Sequence, residues 1–126
     1  LASWRRVPTT NPLVHNQARV ITEASRPFKI THVNDAWVKL CGFTQDEAEG
    51  KTLRMLQGED TNLETVDALV KDCQEGRPSS MEVVNYDKQG MKFKNCLQVY
   101  PLSNNNSDSS ITHLLGVLTP IGGKFQ

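Results

Sequence analysis

The segment at 50–61, "GKTLRMLQGEDT", gathers residue types that suit a phosphate group. It opens with the Gly-Lys-Thr that ends a nucleotide-binding P-loop. A P-loop also needs a glycine five residues before Gly50, where this chain has Gln45, and the carboxylates between the two would repel a triphosphate. The spacing therefore excludes a P-loop.

Two residues later in the same segment remain candidates for ligand contacts. The guanidinium of Arg54 suits a phosphate, and the amide of Gln57 can both donate and accept a hydrogen bond. An arginine in an apolar run can also extend its charge to the surface, here beside Glu59 and Asp60. The residues alone leave both interpretations of Arg54 open.

No other part of the chain carries a pattern typical of catalysis or metal binding. The cysteines and histidines are scattered, without metal-ligand spacing, a C-x-x-C motif or a local nucleophile–base set, at Cys41, Cys73 and Cys96 and at His15, His32 and His113. We read the cysteines as reduced thiols of an intracellular protein, cytoplasmic or nuclear, and we expect no enzyme activity and no metal.

Composition fits one globular domain. The 126 residues are 37% hydrophobic and 22% charged, with fourteen basic residues balancing fourteen acidic ones. This neutral balance provides no general attraction to nucleic acid or to anionic membranes, and no apolar run approaches the ~20 residues of a membrane span. The chain begins with Leu1 rather than Met, so we expect a piece of a longer protein.

Periodicity and turn residues predict an α+β fold. The predicted order is two strands, three helices and three strands, at 20–22, 29–33, 35–41, 44–47, 61–75, 80–86, 92–102 and 111–119. The polar run at 103–110 is predicted to be a solvated loop. The strands should form one five-stranded antiparallel sheet with the short helices packed on one face.

Capping residues mark the helix ends. Asn34 and Gly42 bound the first helix, and Thr44 begins a capping box for the second. Thr61 and Glu64 have the spacing of another capping box, which predicts that the third helix begins at Thr61.

The chain from about residue 20 to 121 resembles a PAS domain, and within that family it is most similar to the LOV group of flavin-binding blue-light sensors. Three segments carry the resemblance. The run "THVNDAWVKLCGFTQDEAEGK" is similar to the PAS helical core, the opening segment to the LOV loop Gly-Arg-Asn-Cys-Arg-Phe-Leu-Gln-Gly, and "VVNYDKQGMKFKNCLQVYPL" to the LOV hairpin.

The resemblance implies a site for flavin mononucleotide (FMN). It assigns Arg54 to the flavin phosphate, and Gln57, Asn85 and Asn95 to the ribityl chain or the ring. In a pocket without ligand, Asn85 and Asn95 could instead bond each other or a buried water.

Three departures from the LOV pattern argue against a bound flavin. Leu53 replaces the cysteine that bonds covalently to the excited flavin, Val70 replaces a second phosphate arginine, and Leu118 replaces the last-strand glutamine. Cys96 should point to the other face of the sheet from Asn95, so it cannot substitute for the missing cysteine. We therefore expect no cofactor, with FMN as the alternative.

Strand alternation predicts an apolar stripe on the outer face of the sheet. With Asn85 and Asn95 inward, the stripe contains Val84, Tyr86, Tyr100, Leu115 and Val117, with Cys96 and Gln98 among them. Such a face favours a partner, which we expect to be a second copy or a flanking helix. Burial by an arm at 1–18 is the alternative.

These observations predict an arm or flanking helix at 1–18, a LOV-like PAS domain at 19–122 and a tail at 123–126. The predicted function is a regulatory sensor and dimerisation module of a larger signalling or transcription protein, without direct contact to nucleic acid or membrane. The effector domain of the full-length protein would be its target. The alternative is a sensor that binds flavin or another small molecule without a covalent bond.

Overall fold

The structure, a computed structural model, describes residues 16–103 and 110–122. The predicted loop at 103–110 and the predicted arm and tail lie largely outside these residues. Five strands are present: β1 Ala18–Glu23, β2 Ile30–Val33, β3 Ser79–Tyr86, β4 Lys92–Leu102 and β5 His113–Pro120. Three α-helices lie between β2 and β3, with a 3₁₀ helix before the last: α1 Asp35–Cys41, α2 Gln45–Ala48, the 3₁₀ helix Leu53–Leu56 and α3 Leu63–Gln74.

All strand pairs of the sheet are antiparallel, in the spatial order β2-β1-β5-β4-β3. The last three strands form the meander that the sequence predicts. The first hairpin joins it through β1, which pairs with β5 from Ala18↔Leu118 to Glu23↔His113. The predicted α+β class and five-stranded sheet are confirmed.

The first two α-helices begin and end as their capping residues predict. Asn34 Oδ1 accepts from the backbone N–H groups of Trp37 and Arg19, each at 2.9 Å, and so joins the start of α1 to the sheet. Gly42 follows α1 with φ of 86°, a left-handed conformation that favours glycine. Thr44 and Glu47 form a complete capping box at the start of α2.

The predicted start of α3 at Thr61 is wrong. Its N-cap is Asn62, whose side chain accepts from the Thr65 N–H at 3.2 Å. The Thr61 hydroxyl instead accepts from the Gly58 N–H at 3.0 Å and donates to the Val84 carbonyl at 2.6 Å. A contact with a distant strand therefore takes the side chain that the local pattern assigns to the helix.

A second polar side chain bonds the opposite edge of the sheet. Gln45, at the start of α2, accepts from the Val33 N–H at 2.8 Å and donates to the Thr31 carbonyl at 3.0 Å. Both backbone groups belong to the edge strand β2, so the amide continues that strand's hydrogen bonding.

The helical face of the sheet carries two buried clusters. One surrounds Trp37, which is fully buried and packs near Phe43 with a ring-centroid distance of 6.5 Å. The other places the apolar side of α3, with Leu69 and Cys73, on the sheet. Trp37 is thus a core residue, and the partly buried Phe43 packs against its cluster.

The outer face corrects the predicted interface stripe. Leu115 and Val117 are only 1% and 2% exposed in the single chain, where they cluster with Ile21, Leu102 and the half-buried Tyr100. Leu115 and Val117 therefore leave almost no surface of their own for a second chain.

Tyr86 also departs from the stripe. It lies at the edge of the sheet, where its hydroxyl accepts from the Asp60 N–H at 2.9 Å and its ring leaves no room for a Cβ at Gly58. Lys92 extends this contact through an ion pair with Asp60 at 2.8 Å. Of the predicted stripe, Val84 remains half-buried on the outer face.

Candidate functional site

A cavity of about 910 Å³ lies between the sheet and the segment that runs from the 3₁₀ helix into α3. The β1–β2 turn forms another part of its wall. Its lining is mainly apolar, from Val20, Leu53, Leu63, Val66, Leu69, Val70, Leu97, Val99 and Leu114. A cavity of this size is within the range that holds a cofactor or other small ligand.

The 3₁₀ helix positions the polar residues that the sequence singles out in this segment. Thr52 precedes it and accepts from the Arg54 N–H at 3.4 Å, and the Gln57 N–H donates to the Arg54 carbonyl at 3.0 Å. Arg54 is exposed and Gln57 is half-buried, and both line the cavity. The tight turn thus places a guanidinium and an amide on the same cavity.

Asn85 and Asn95 form a separate buried pair. Asn95 Nδ2 donates to Asn85 Oδ1, and Asn85 Nδ2 donates to the Leu56 carbonyl at 3.1 Å. Neither residue is part of the cavity lining. The structure therefore divides the four predicted flavin-binding residues into two pairs, one on the cavity and one beneath the sheet.

Asn95 keeps one polar atom without a partner. The residue is fully buried, and its Oδ1 has no hydrogen bond among the described residues. A buried acceptor without a donor costs free energy, typically about 1–3 kcal/mol. This atom is a place where a ligand or water would add a contact.

The three departures from the LOV pattern also lie in different places. Leu53 and Val70 line the cavity, to which both contribute apolar side chains. Leu118 packs instead into the cluster that contains Phe93 and Leu56, next to the asparagine pair. Cys96 is half-buried and pairs across the sheet with Glu82, and strand alternation directs it away from Asn95.

Sequence reasoning missed most of the cavity wall, including one residue from each of three different elements. Arg26 comes from the β1–β2 turn, Asp67 from α3 and Gly116 from β5. A Cβ at Gly116 would lie 3.1 Å from Val20 Cγ1, so the glycine keeps this part of the wall thin. The turn pattern around Pro27 marks a connection but does not indicate which side chains face the interior.

The loop before α3 is held against the edge of the sheet beside the cavity. Its anchors are the contacts of Thr61 with Val84 and of Tyr86 with Asp60. The hydrogen bond from Lys92 to Asp60 raises the pKa of that lysine, which is fully exposed. Gly58, which lines the cavity, is fixed between these contacts.

Other chemistry is sparse in the part of the chain that the structure describes. Residues 16–103 and 110–122 contain no group of three or more His, Cys, Asp or Glu side chains that could hold a metal ion. Within the same ranges, no helix has the length and apolar character needed to cross a membrane.

The described residues form a small α+β domain with a cavity beneath its sheet, and comparison with known families gives its class. The sequence matches the PAS fold family over residues 13–121. The chain therefore belongs to the PAS family, as its resemblance predicts.

Similar proteins include blue-light receptors. The chain is 29% identical over 99 residues to Phototropin-2 of Oryza sativa subsp. japonica, an alignment that covers 78% of this chain and 11% of that protein. It is 35% identical over 77 residues to a blue-light-activated histidine kinase of Brucella canis, covering 61% of this chain and 16% of the kinase. The chain thus spans only a small part of the length of these relatives.

Solved structures with the same fold include LOV domains. The dark structure of the Aureochrome1 LOV domain is 30% identical, with a TM-score of 0.74, over 84% of this chain and 76% of that chain. A light-oxygen-voltage domain studied with a flavin analogue is 25% identical, with a TM-score of 0.75, over 84% and 78%. These neighbours confirm the similarity to the LOV group.

The residues on the cavity fit FMN in part. The volume, the guanidinium of Arg54, the amide of Gln57 and the thin wall at Gly116 suit a flat apolar ring with a phosphorylated side chain. The acceptor of Asn95 that has no partner lies outside the cavity lining and does not contribute to this fit. Val70 and Leu53 contribute no polar group to this wall.

Proposed function

We propose that this chain is the sensor module of a larger signalling protein, and that a small molecule with an apolar body binds noncovalently in its cavity. One observation carries the proposal: a cavity of about 910 Å³ has a mainly apolar wall and displays the polar groups of Arg54 and Gln57. Such a wall favours a ring or chain, and the polar groups select its orientation.

FMN is the first ligand to test, because blue-light receptors are among the relatives and a flavin-binding study used a similar domain. The proposal excludes a cysteinyl-flavin bond in this chain, since Leu53 has no nucleophile. Arg54 would contact the phosphate and Gln57 the ribityl chain or ring. Asn85 and Asn95 lie outside the cavity lining, so Asn85 would turn from the Leu56 carbonyl to reach the ligand, and Asn95 would move with it to bring its unpartnered Oδ1 to the cavity.

The experiment is a titration of the purified domain with FMN, followed by absorbance and fluorescence. We expect weak, reversible binding, because Val70 removes one charged contact that is typically worth about 1.5–3 kcal/mol. Blue light should leave the absorbance of the complex unbleached. Bleaching with slow dark recovery would contradict the noncovalent mechanism.

A gain-of-function series tests the same site. Val70→Arg with Leu118→Gln should increase FMN affinity, and addition of Leu53→Cys should permit bleaching by blue light. Lys29→Arg is the matched control, because Lys29 is exposed and does not line the cavity. Failure of the double variant to improve affinity would mean that the pocket is remodelled beyond these positions.

The partner is the second part of the proposal. A regulatory module must pass its state to an effector domain, and the small share of the relatives' length that this chain covers is consistent with such a role. We place the contact, with a second copy or a flanking helix, at the accessible part of the outer face around Val84 and Tyr100, because Leu115 and Val117 are already buried.

Light scattering tests the homodimer. Val84→Glu with Tyr100→Glu should give monomers that remain folded, whereas Leu115→Glu should unfold the domain because that residue is 1% exposed. A wild-type domain that is monomeric at micromolar concentration would contradict the homodimer.

A further inference from the structure

We infer that Arg26 determines ligand specificity in this cavity by binding the anionic end of the ligand together with Arg54. The inference rests on the proposed ligand-binding function and adds a residue that comes from a different element. Arg26 lies in the turn between β1 and β2, and it lines the same cavity as Arg54 and Val70.

The side chain of Phe28 connects Arg26 to the position where the cation is missing. The guanidinium carbon of Arg26 lies 5.6 Å from the centroid of the Phe28 ring, within the range of a cation–π contact. That ring packs in the same cluster as Val66 and Val70. The guanidinium of Arg26 thus lies on the same wall of the cavity as Val70, which contributes only an isopropyl group.

The backbone of the turn keeps this ring on the cavity. Phe28 has φ of 64°, in the left-handed region that bulky residues rarely occupy. Its N–H donates to the Ser25 carbonyl at 2.8 Å, and the Glu23 N–H donates to the Lys29 carbonyl at 2.9 Å. An unfavourable conformation that the surrounding hydrogen bonds maintain is typical of sites where a side chain must point in one direction.

The charges around the cavity favour an anion. Its lining contains two guanidinium groups, Arg26 and Arg54, and one carboxylate, Asp67. Over residues 16–103 and 110–122, neither arginine forms an ion pair with a side chain; the described ion pairs use Arg77, Lys88 and Lys92 as their cations. The two arginines are therefore available for a ligand, and guanidinium groups bind phosphate and carboxylate through paired hydrogen bonds.

The ligand class follows from the two parts of the wall. An apolar body would lie against the sheet and α3, and a phosphate ester, sulfonate or carboxylate would lie at the arginines. A flavin phosphate is one source of such a group, and a nonflavin amphiphile is another. Two pairs of probes distinguish these sources. The two members of each pair share the same apolar body, and only one of them carries an anionic group.

The experiment compares FMN with riboflavin, and 1-anilinonaphthalene-8-sulfonate with the neutral N-phenyl-1-naphthylamine. Fluorescence titrations give a dissociation constant for each probe on the wild type, Arg26→Gln, Arg26→Lys and Arg54→Gln. The matched control is Lys29→Gln, which removes one charge from a residue that closely follows the same turn but does not line the cavity.

For each pair of probes that binds, we expect Arg26→Gln to raise the dissociation constant of the anionic probe about tenfold. The dissociation constant of the neutral probe should change less than about twofold. Arg26→Lys should retain part of the anion preference, because the charge remains while the planar fork is lost. Lys29→Gln should leave both members unchanged. An effect on the FMN pair alone assigns the site to a flavin phosphate, and an effect on the naphthalene pair alone assigns it to another anionic amphiphile.

Equal weakening of anionic and neutral probes by Arg26→Gln would overturn the inference, because it would mean that Arg26 only supports the wall through Phe28. No effect of Arg26→Gln on any probe that binds the wild type would also overturn it, and in that case the proposed function survives. If no probe binds the wild type, the proposed function fails and the inference fails with it.

Discussion

The space beneath the sheet has two ends that differ in packing. Strands β4 and β5 cross both: Phe93 and Leu118 lie in the closed end, and Val99 and Leu114 line the cavity at the open end. The closed end is filled by apolar side chains and the asparagine pair, while the open end holds a hollow of about 910 Å³. The difference separates two roles, because stability should depend on the first region and ligand chemistry on the second.

The largest expected difference between the two ends is in the loss of stability when a side chain is truncated to alanine. Phe93→Ala in the closed end should lower the free energy of unfolding by about 3–5 kcal/mol, because the side chain is 2% exposed and its loss leaves a void. Val70→Ala at the open end should cost less than about 1 kcal/mol, since its side chain already borders a hollow. Denaturant titration measures both, and similar losses would show that the two regions do not differ in packing.

The asparagine pair gives the next largest expected effect. Asn85→Leu leaves the Leu56 carbonyl and the Asn95 amide without their partner, which should cost about 1–3 kcal/mol. Gln57→Leu at the open end should change the free energy of unfolding by less than about 0.5 kcal/mol, because its amide is half-buried on the cavity wall.

A double-mutant cycle sharpens this test. Asn85→Leu with Asn95→Leu should cost less than the sum of the two single changes, because the double variant removes both members of the bonded pair. Strict additivity would argue that the two amides contribute independently.

Filling the hollow should affect binding more than stability. Gly116→Ala places a methyl group 3.1 Å from Val20 Cγ1, and this close approach opposes the gain from a less flexible unfolded chain. The free energy of unfolding should therefore change by less than about 1 kcal/mol. The naphthalene probes should bind several-fold more weakly, and unchanged affinity would place them outside the cavity.

Thiol labelling should give the smallest effect. Burial, and secondarily the nearby Asp72 charge, raises the pKa of Cys73 to about 12, so at pH 8 only about one thiol in 10⁴ is ionised while the protein is folded. Cys96, which is half-buried on the outer face, should react first with a maleimide. Cys73 lies behind the cavity and Cys41 lies in the closed end. A saturating cavity probe should therefore slow the labelling of Cys73 a few-fold more than the labelling of Cys41. Mass spectrometry of timed samples measures both rates.

Local signals in the sequence predict much of the fold. Asn34 and Gly42 bound α1 as expected, and β4 runs from Lys92 to Leu102 as predicted. These features depend on hydrogen bonds and turn conformations within a few residues. The resemblance to PAS domains then predicts a single five-stranded antiparallel sheet, which the structure confirms.

The candidate site is less predictable because its contacts join distant segments. Arg54 and Gln57 follow from a motif, but Arg26 lines the same cavity from the β1–β2 turn, far away in sequence. The position of Asn85 outside the cavity lining depends on the Leu56 carbonyl, 29 residues away in sequence. No periodicity in the sequence predicts these long-range contacts.

The side chains of Gln45 and Thr61 have a consequence for assembly. They bond the outward backbone groups of β2 and β3, the two strands that end the sheet. Exposed backbone groups on an edge strand can pair with a strand from another chain. Such pairing is a first step toward open-ended oligomers and fibrils. Gln45 and Thr61 occupy three of these groups, the Val33 N–H and the carbonyls of Thr31 and Val84, so a foreign strand could not pair along either edge at these points without displacing a bond that the folded domain already makes.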